Sequence, residues 1–301
     1  LATRTIESKN SRMITMLATP FMSCSARLPV YVLFAGAFFP NSASLVMLGL
    51  YLIGMLMAII SARLFKRFLF NTEDVPFVME LPPYRMPTAR ATLRHMWEKS
   101  QQYLRKMGTI ILFASIIIWA LGYFPLAETR TPQLDDKINQ LTALPTTEET
   151  NTQLQNLQWE RNTQQQKMSY IGKIGNSILP IIKPLGFNWE MGIGLIAGLP
   201  AKELVVSTLG VLYTNNTTDE NSAELSYKLQ HVTDASGKQQ ITPLIAFGYM
   251  IFILLSFPCI ATIIAIKNES GSWKWGLFSI AYSTSLAWVC AFLIFQLGSL
   301  L

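Results

Sequence analysis

Charged side chains make up only 14% of the 301 residues, against about 25% in an ordinary soluble protein. The shortage is concentrated. No Asp, Glu, Lys or Arg occurs from Leu28 to Ala62, from Met107 to Ala127, from Gln239 to Ile266 or from Trp275 to Leu301. A helix needs about 20 mostly apolar residues to cross a hydrocarbon core of about 30 Å. Each stretch is long enough. Half of the residues are hydrophobic and the mean hydropathy is +0.31. Runs of this length argue against helices buried in a large soluble core and for a membrane protein.

Histidine is scarcer still. His95 lies on a basic amphipathic segment and His231 in a polar loop, so both are assigned to the surface. With no histidine in an apolar stretch, and no His/Cys or acid pair at close spacing, a base and nucleophile within reach of each other are lacking. No enzyme is expected. The three cysteines, Cys24, Cys259 and Cys290, are far apart and odd in number, which excludes a disulfide framework. The stretch "LATRTIESKNSRMITML" has no apolar core of a signal peptide and reads as a piece of something longer. There is no G-x-x-x-x-G-K-[ST] sequence, hence no phosphate cradle on this chain. Nucleic acid is not expected as a partner.

What is present reads as alternating spans and polar segments. "NSASLVMLGLYLIGMLMAIISARL" predicts a helix over 41–64 that ends in Arg63, Lys66 and Arg67. From Arg63 to Lys106 basic residues outnumber acidic ones, which places this segment in the cytoplasm. Its "ELPPYRMPT" cannot be helical, because proline removes donors and forces the preceding residue extended. Residues 89–106 predict an interfacial amphipathic helix with Trp97 at headgroup level, leading into a span over 108–124. Residues 129–167, rich in Gln, Asn, Thr and Glu, predict a small helical hairpin outside the membrane. Residues 169–213 are apolar but interrupted by Pro180, Pro184, Pro200 and many glycines, with Lys202 and Glu203 in the middle. Such broken segments mark discontinuous or re-entrant helices. This region must enter and return, as a hairpin or as two crossings. Pro243–Ile266 and Trp275–Leu297 are the last two predicted spans. Ala-x-Leu-Pro before an apolar run occurs twice, at Ala26–Phe39 and Ala197–Tyr213, which suggests an internal repeat.

Four stretches, "PFMSCSARLPVYVLFAGAFF", "ELPPYRMP", "GLPAKELVVSTLGVLY" and "FPCIATIIAIKNESGSWKW", resemble in this order the membrane domain of the bacterial ferrous iron transport protein B (FeoB) family. The first and third resemble that family's two Gate motifs. The resemblance runs through nearly the whole chain and is weakest in 129–168. It implies an all-α fold: a polytopic transmembrane helical bundle with discontinuous or re-entrant Gate helices and a small polar helical insert. The implied divisions are 1–66, first Gate segment and membrane helix; 67–107, cytoplasmic loop with amphipathic helix; 108–124, membrane helix; 125–168, polar insert; 169–213, second Gate segment; 214–242, polar loop; and 243–301, two C-terminal membrane helices. It also implies Fe2+ as transported substrate and a multi-pass place in the bacterial inner membrane. The family's GTP-binding domain and early membrane helices are not found in this sequence. GTP and Mg2+ would belong to that missing part, and no cofactor is expected here. The remaining N-terminal part of the transporter and the lipid bilayer are the implied partners, with small accessory Feo proteins and homo-oligomerisation also open.

An iron path needs ligands that bind and let go, and Fe2+ accepts thiolate, imidazole or carboxylate. Cys24, flanked by Ser23 and Ser25 with Met22 beside them, is the leading candidate, with Pro29 stopping a regular helix nearby. Cys259 follows Pro258, which predicts a kink in the span. Glu203 is a third candidate ligand, or a partner for Arg27. Arg27, Pro29, Pro200, Lys202 and Pro258 are assigned gating or structural roles. Cys290 has no breaker or polar neighbour and is read as packing or lipid-facing. The alternative is a nucleoside-type or other divalent-cation Gate transporter, whose site would favour Asn, Gln and carboxylates.

Overall fold

A computed structural model describes residues 8–70, 88–124, 168–214, 222–232 and 239–300, with Thr3 and Ile6. The expected polar insert, all but its last residue, and most of "ELPPYRMPT" lie outside the described residues. Among the described residues the fold is all helical, without a strand. Four stretches of the described residues are long and apolar enough to cross a membrane: Lys9–Phe38, Ala43–Phe68, Pro243–Ser270 and Trp273–Leu300.

The first and third of these are broken. Helix α1 (Lys9–Ala18) is capped by Ser8, whose hydroxyl accepts from Ser11 N. It gives way to short 3₁₀ turns at Thr19–Phe21 and Ser25–Arg27 before α2 (Leu28–Phe38). Helix α3 (Ala43–Phe68) then runs back unbroken. Helix α4 (Ala89–Tyr123) joins the expected amphipathic segment and the expected 108–124 span into one helix. Met107 and Gly108 contain no breaker strong enough to divide them.

Helix α5 (Tyr170–Ile182) is capped by Ser169, and α6 (Trp189–Ala197) by Asn188, whose side chain accepts from Met191 N. Helix α7 (Leu204–Thr214) doubles back along α6. Asn188 Nδ2 donates to the Tyr213 hydroxyl at 2.9 Å. Nearer the turn, a Cβ on Gly198 would stand 2.6 Å from Val205 Cγ2, so glycine is needed for the two arms to close. The pairing 188 with 213 and 198 with 205 is antiparallel. Residues 189–214 therefore form an antiparallel hairpin, which accounts for the second part of the interrupted 169–213 segment, with α5 preceding it.

The expected polar loop contains a helix, α8 (Ser222–His231). Its Leu225 and Leu229 are buried, and Gln230 Nε2 donates to the Ala37 carbonyl at the end of α2. Helix α9 (Pro243–Leu255), capped by Thr242, is buried almost all round. The sequence predicts a kink at Pro258. The structure instead ends α9 at Leu255 and begins α10 at Ile260 (Ile260–Ser270). Proline lacks the N–H that would continue the ladder and pushes Phe257 out of the helical region. Helix α11 (Trp273–Leu300) returns unbroken, with Ser279, Ser283, Ala287 and Ala291 buried at helical spacing. Lipid is as apolar as leucine, so small residues that allow close backbone approach, rather than hydrophobic burial, hold such helices together.

Candidate functional site

Three interruptions of the helical backbone meet: Thr19–Arg27 in the first crossing, the hairpin tip Gly198–Glu203, and Ser256–Cys259 in the third. They enclose a cavity of about 380 Å3. Met22, Ser23, Cys24 and Arg27 line it from the first break, Pro200, Lys202 and Glu203 from the tip, and Pro258, Cys259 and Thr262 from the third. Non-helical backbone at membrane depth is tolerated where it is satisfied by protein or lines a cavity, and both conditions hold here.

The first break is held by Arg27. Only 3% of its surface is exposed. Its Nη2 donates to the Pro20 carbonyl at 2.9 Å and its Nη1 to the Met22 carbonyl at 3.3 Å. Among the described residues no ion pair joins Arg27 to Glu203, so that pairing is not formed. Pro29 does not stop a helix. It sits in the first turn of α2, where its missing N–H has no intrahelical partner to lose. The helix-interrupting role falls to Pro20, in the 3₁₀ turn after α1.

The second and third breaks hold each other. Ile260 N donates to the Leu199 carbonyl at 3.2 Å. Lys202 Nζ donates to Ser256 Oγ at 3.1 Å and stands 3.8 Å from the centre of the Phe257 ring. Ser256, Phe257, Thr19 and Thr262 are the residues sequence reasoning missed. The signals were a lone serine in an uncharged run, and a threonine three residues after Cys259.

Of the candidate ligands, Met22, Ser23, Cys24, Glu203 and Cys259 line the same cavity, and Ser25 does not. Cys24, Ser25, Met22 and Glu203 are exposed, whereas the Ser23 hydroxyl is buried without a hydrogen-bond partner among the described residues. Cys259 is half-buried, its Sγ 3.3 Å from Thr262 Oγ1. Cys259 directly precedes α10, and its carbonyl accepts from Thr262 N and Ile263 N. Among the described residues no three His, Cys, Asp or Glu side chains converge, so the donors form no closed cage. Cys290 lies in α11, packed against the core and away from the cavity. His95 is exposed on α4, and His231 ends α8 with its ring stacked on Tyr227.

A family model described as "Ferrous iron transport protein B C terminus" matches residues 47–99. The Gate model, described as "Nucleoside recognition", matches residues 104–273, more than half of the chain. The Fe(2+) transport protein A/Fe(2+) transporter FeoB fusion protein of Porphyromonas gingivalis is 54% identical over the whole chain, which covers 36% of that relative. The Fe(2+) transporter FeoB of Methanocaldococcus jannaschii is 36% identical, again over the whole chain and 39% of its own length. That of Staphylococcus aureus is 35% identical, with 38% of its length covered. The chain thus spans well under half the length of these relatives. No solved structure matches it significantly. The Gate model covers the hairpin tip and the third break, the relatives align over the whole chain and so over the first break too, and the chain belongs to the ferrous iron transport protein B (FeoB) family, as a portion of its membrane part.

Proposed function

We propose that this chain forms part of the path by which ferrous iron crosses the membrane in the full-length transporter. The observation that carries this reading is the meeting of three helix breaks at a cavity whose donors are exchangeable. Cys24 and Cys259 offer soft sulfur, Glu203 a carboxylate, and Ser23 and Thr262 hydroxyls, with the Met22 thioether beside them. Fe2+ is borderline in softness and accepts such a mixture. Ligands drawn from separate elements can bind an ion and release it, as conduction requires. The names of the relatives point the same way.

Orientation follows from charge. Arg63, Lys66 and Arg67 end α3, and Phe70 just beyond them stacks on Trp275 at 5.2 Å, next to Lys274. The basic segments share one end of the bundle, which we assign to the cytoplasm, in the bacterial inner membrane. We read the chain itself as non-enzymatic. GTP and Mg2+ belong to the part of the transporter outside this chain, its principal partner, and accessory Feo proteins or further copies would join there. A nucleoside cargo is disfavoured by the cavity, whose lining among the described residues includes no Asn, Gln or aromatic side chain.

The test is ferrous uptake by iron-starved cells that lack their own importer and express the full-length parent at matched levels. Cys24→Ser, Cys259→Ser and Glu203→Gln are each expected to lower uptake by about tenfold or more. Parent-like uptake in all three variants would remove the cavity from the iron path.

A further inference from the structure

We propose that the Lys202 ammonium is the resident cation of the cavity, a tethered charge that a transported divalent ion must displace from Ser256 and Phe257. The inference rests on the transport reading above and adds a device that controls it.

Two cations line the cavity, Arg27 and Lys202, against one carboxylate, Glu203. They are held very differently. The Arg27 guanidinium is bound to two carbonyls of its own break, so moving it would strand both at membrane depth. Lys202 is just as buried, at 2% exposure. A buried ammonium has three donors and ordinarily pairs with a carboxylate. Among the described residues none lies within ion-pair reach, and the adjacent Glu203 side chain is exposed. The ammonium has one hydroxyl, Ser256 Oγ at 3.1 Å, and the face of one ring, Phe257 at 3.8 Å. A hydroxyl and a π-face are what a weak, neutral cation site offers. The lysine stem is flexible, and only one hydrogen bond fixes its tip.

An incoming divalent ion therefore meets two positive charges and one negative while the ammonium stays in place. Once the ammonium leaves its perch, the ion meets one of each. Because Ile260 N bonds the Leu199 carbonyl at 3.2 Å, the perch and the hairpin tip are joined, and a shift of the tip is a direct way to move the lysine.

The purified full-length transporter is titrated with Co2+, followed by its visible and ultraviolet absorption, and Fe2+ entry into reconstituted vesicles is measured in parallel. Lys202→Met keeps the apolar stem and removes the charge. It is expected to bind Co2+ about tenfold tighter or more, to raise Fe2+ entry in the absence of nucleotide, and to melt no lower than the parent, since an apolar substitute for a buried charge is usually tolerated. Ser256→Ala loosens the perch and is expected to tighten Co2+ binding by about two- to threefold. Unchanged or weaker Co2+ binding in folded Lys202→Met overturns the proposal. If that variant does not fold, unchanged binding in Ser256→Ala does so. Should the parent bind Co2+ yet carry no Fe2+, the transport reading falls while the affinity shift still judges the lysine. Should the parent bind no Co2+, binding gained in Lys202→Met supports the tether, and none in either protein overturns it.

Discussion

The two broken crossings, α1–α2 and α9–α10, run through the bundle in opposite directions. At one end α1 meets α10, with Met13 and Met16 packed beside Ile266. At the other end α2 meets α9, where the Phe34 and Tyr249 rings lie 5.1 Å apart. Each carries a cysteine in its break, directly before a helical turn, in Cys24-x-Ala26 and Cys259-x-Ala261. Each is followed by one long unbroken helix that returns alongside, α3 or α11. This is the pattern of an inverted repeat, with the site where the halves cross. The breaks nonetheless differ. The first is longer and supplies its own cation, Arg27, to satisfy its own carbonyls. The second is shorter, contains no charged residue, and takes Lys202 from the hairpin tip. One break is braced from within and the other from outside. The first should therefore be mechanically fixed, and the second should respond to movement of the hairpin.

The largest expected effect follows from that contrast. Arg27→Leu leaves the Pro20 and Met22 carbonyls without their donor. Hydrogen bonds to charged groups contribute about 1.5–3 kcal/mol each, so the loss of two should be about 3–6 kcal/mol, visible as a marked drop in melting temperature in detergent. Lys202→Met should melt at or above the parent. Equal losses in the two variants would erase the distinction between a fixed cation and a movable one.

A smaller effect probes how the crossings are spaced. Gly54 of α3 sits between them: a Cβ there would lie 2.8 Å from the Phe21 carbonyl oxygen and 3.3 Å from Leu254 Cδ1. Phe21 belongs to the first break and Leu254 to α9. Backbone cannot give way as a side-chain tip can, so Gly54→Ala should cost about 1–3 kcal/mol despite alanine's better helix propensity. On the same helix, a Cβ at Gly49 meets nothing within 4 Å. Gly49→Ala should stay within about 0.5 kcal/mol of the parent. Thermal melts of the two variants side by side decide whether the crossings press on α3 as described.

Much of this architecture was legible in the sequence because the absence of charge over a span is a one-dimensional signal. Pro20 to Pro29 announced its break by crowding prolines, hydroxyls and an arginine into a short stretch. Pro258 did not, since a lone proline in an apolar run fits a kink as well as a full break. What decides it is tertiary: Ile260 N finds its acceptor at Leu199, on another element. The polar look of "SAELSYKLQH" hid α8, whose helix depends on burying Leu225 and Leu229. The Ala-x-Leu-Pro echo joins the first break to the hairpin tip, each followed by an 11-residue helix, α2 and α7. The likeness that matches Cys24 with Cys259 is visible only in space, because two shared positions are too few to be found without the fold. The cavity has no linear trace at all, because its walls lie far apart along the chain.

The smallest effect reads the two walls of the cavity directly. A water-soluble methanethiosulfonate reagent reaches a thiol only through an aqueous path. Cys24 is exposed, whereas Cys259 is half-buried with its sulfur 3.3 Å from the Thr262 hydroxyl. Cys290 packs against the core outside the cavity. Labelling of single-cysteine versions of the full-length transporter should therefore be fastest at Cys24, several-fold slower at Cys259 and slowest at Cys290. Adding Co2+ should protect the first two and leave Cys290 unchanged. Equal rates at Cys24 and Cys259 would mean that the two breaks open equally to water. The contrast between the inner brace and the outer one would then be a matter of bonding alone and not of access.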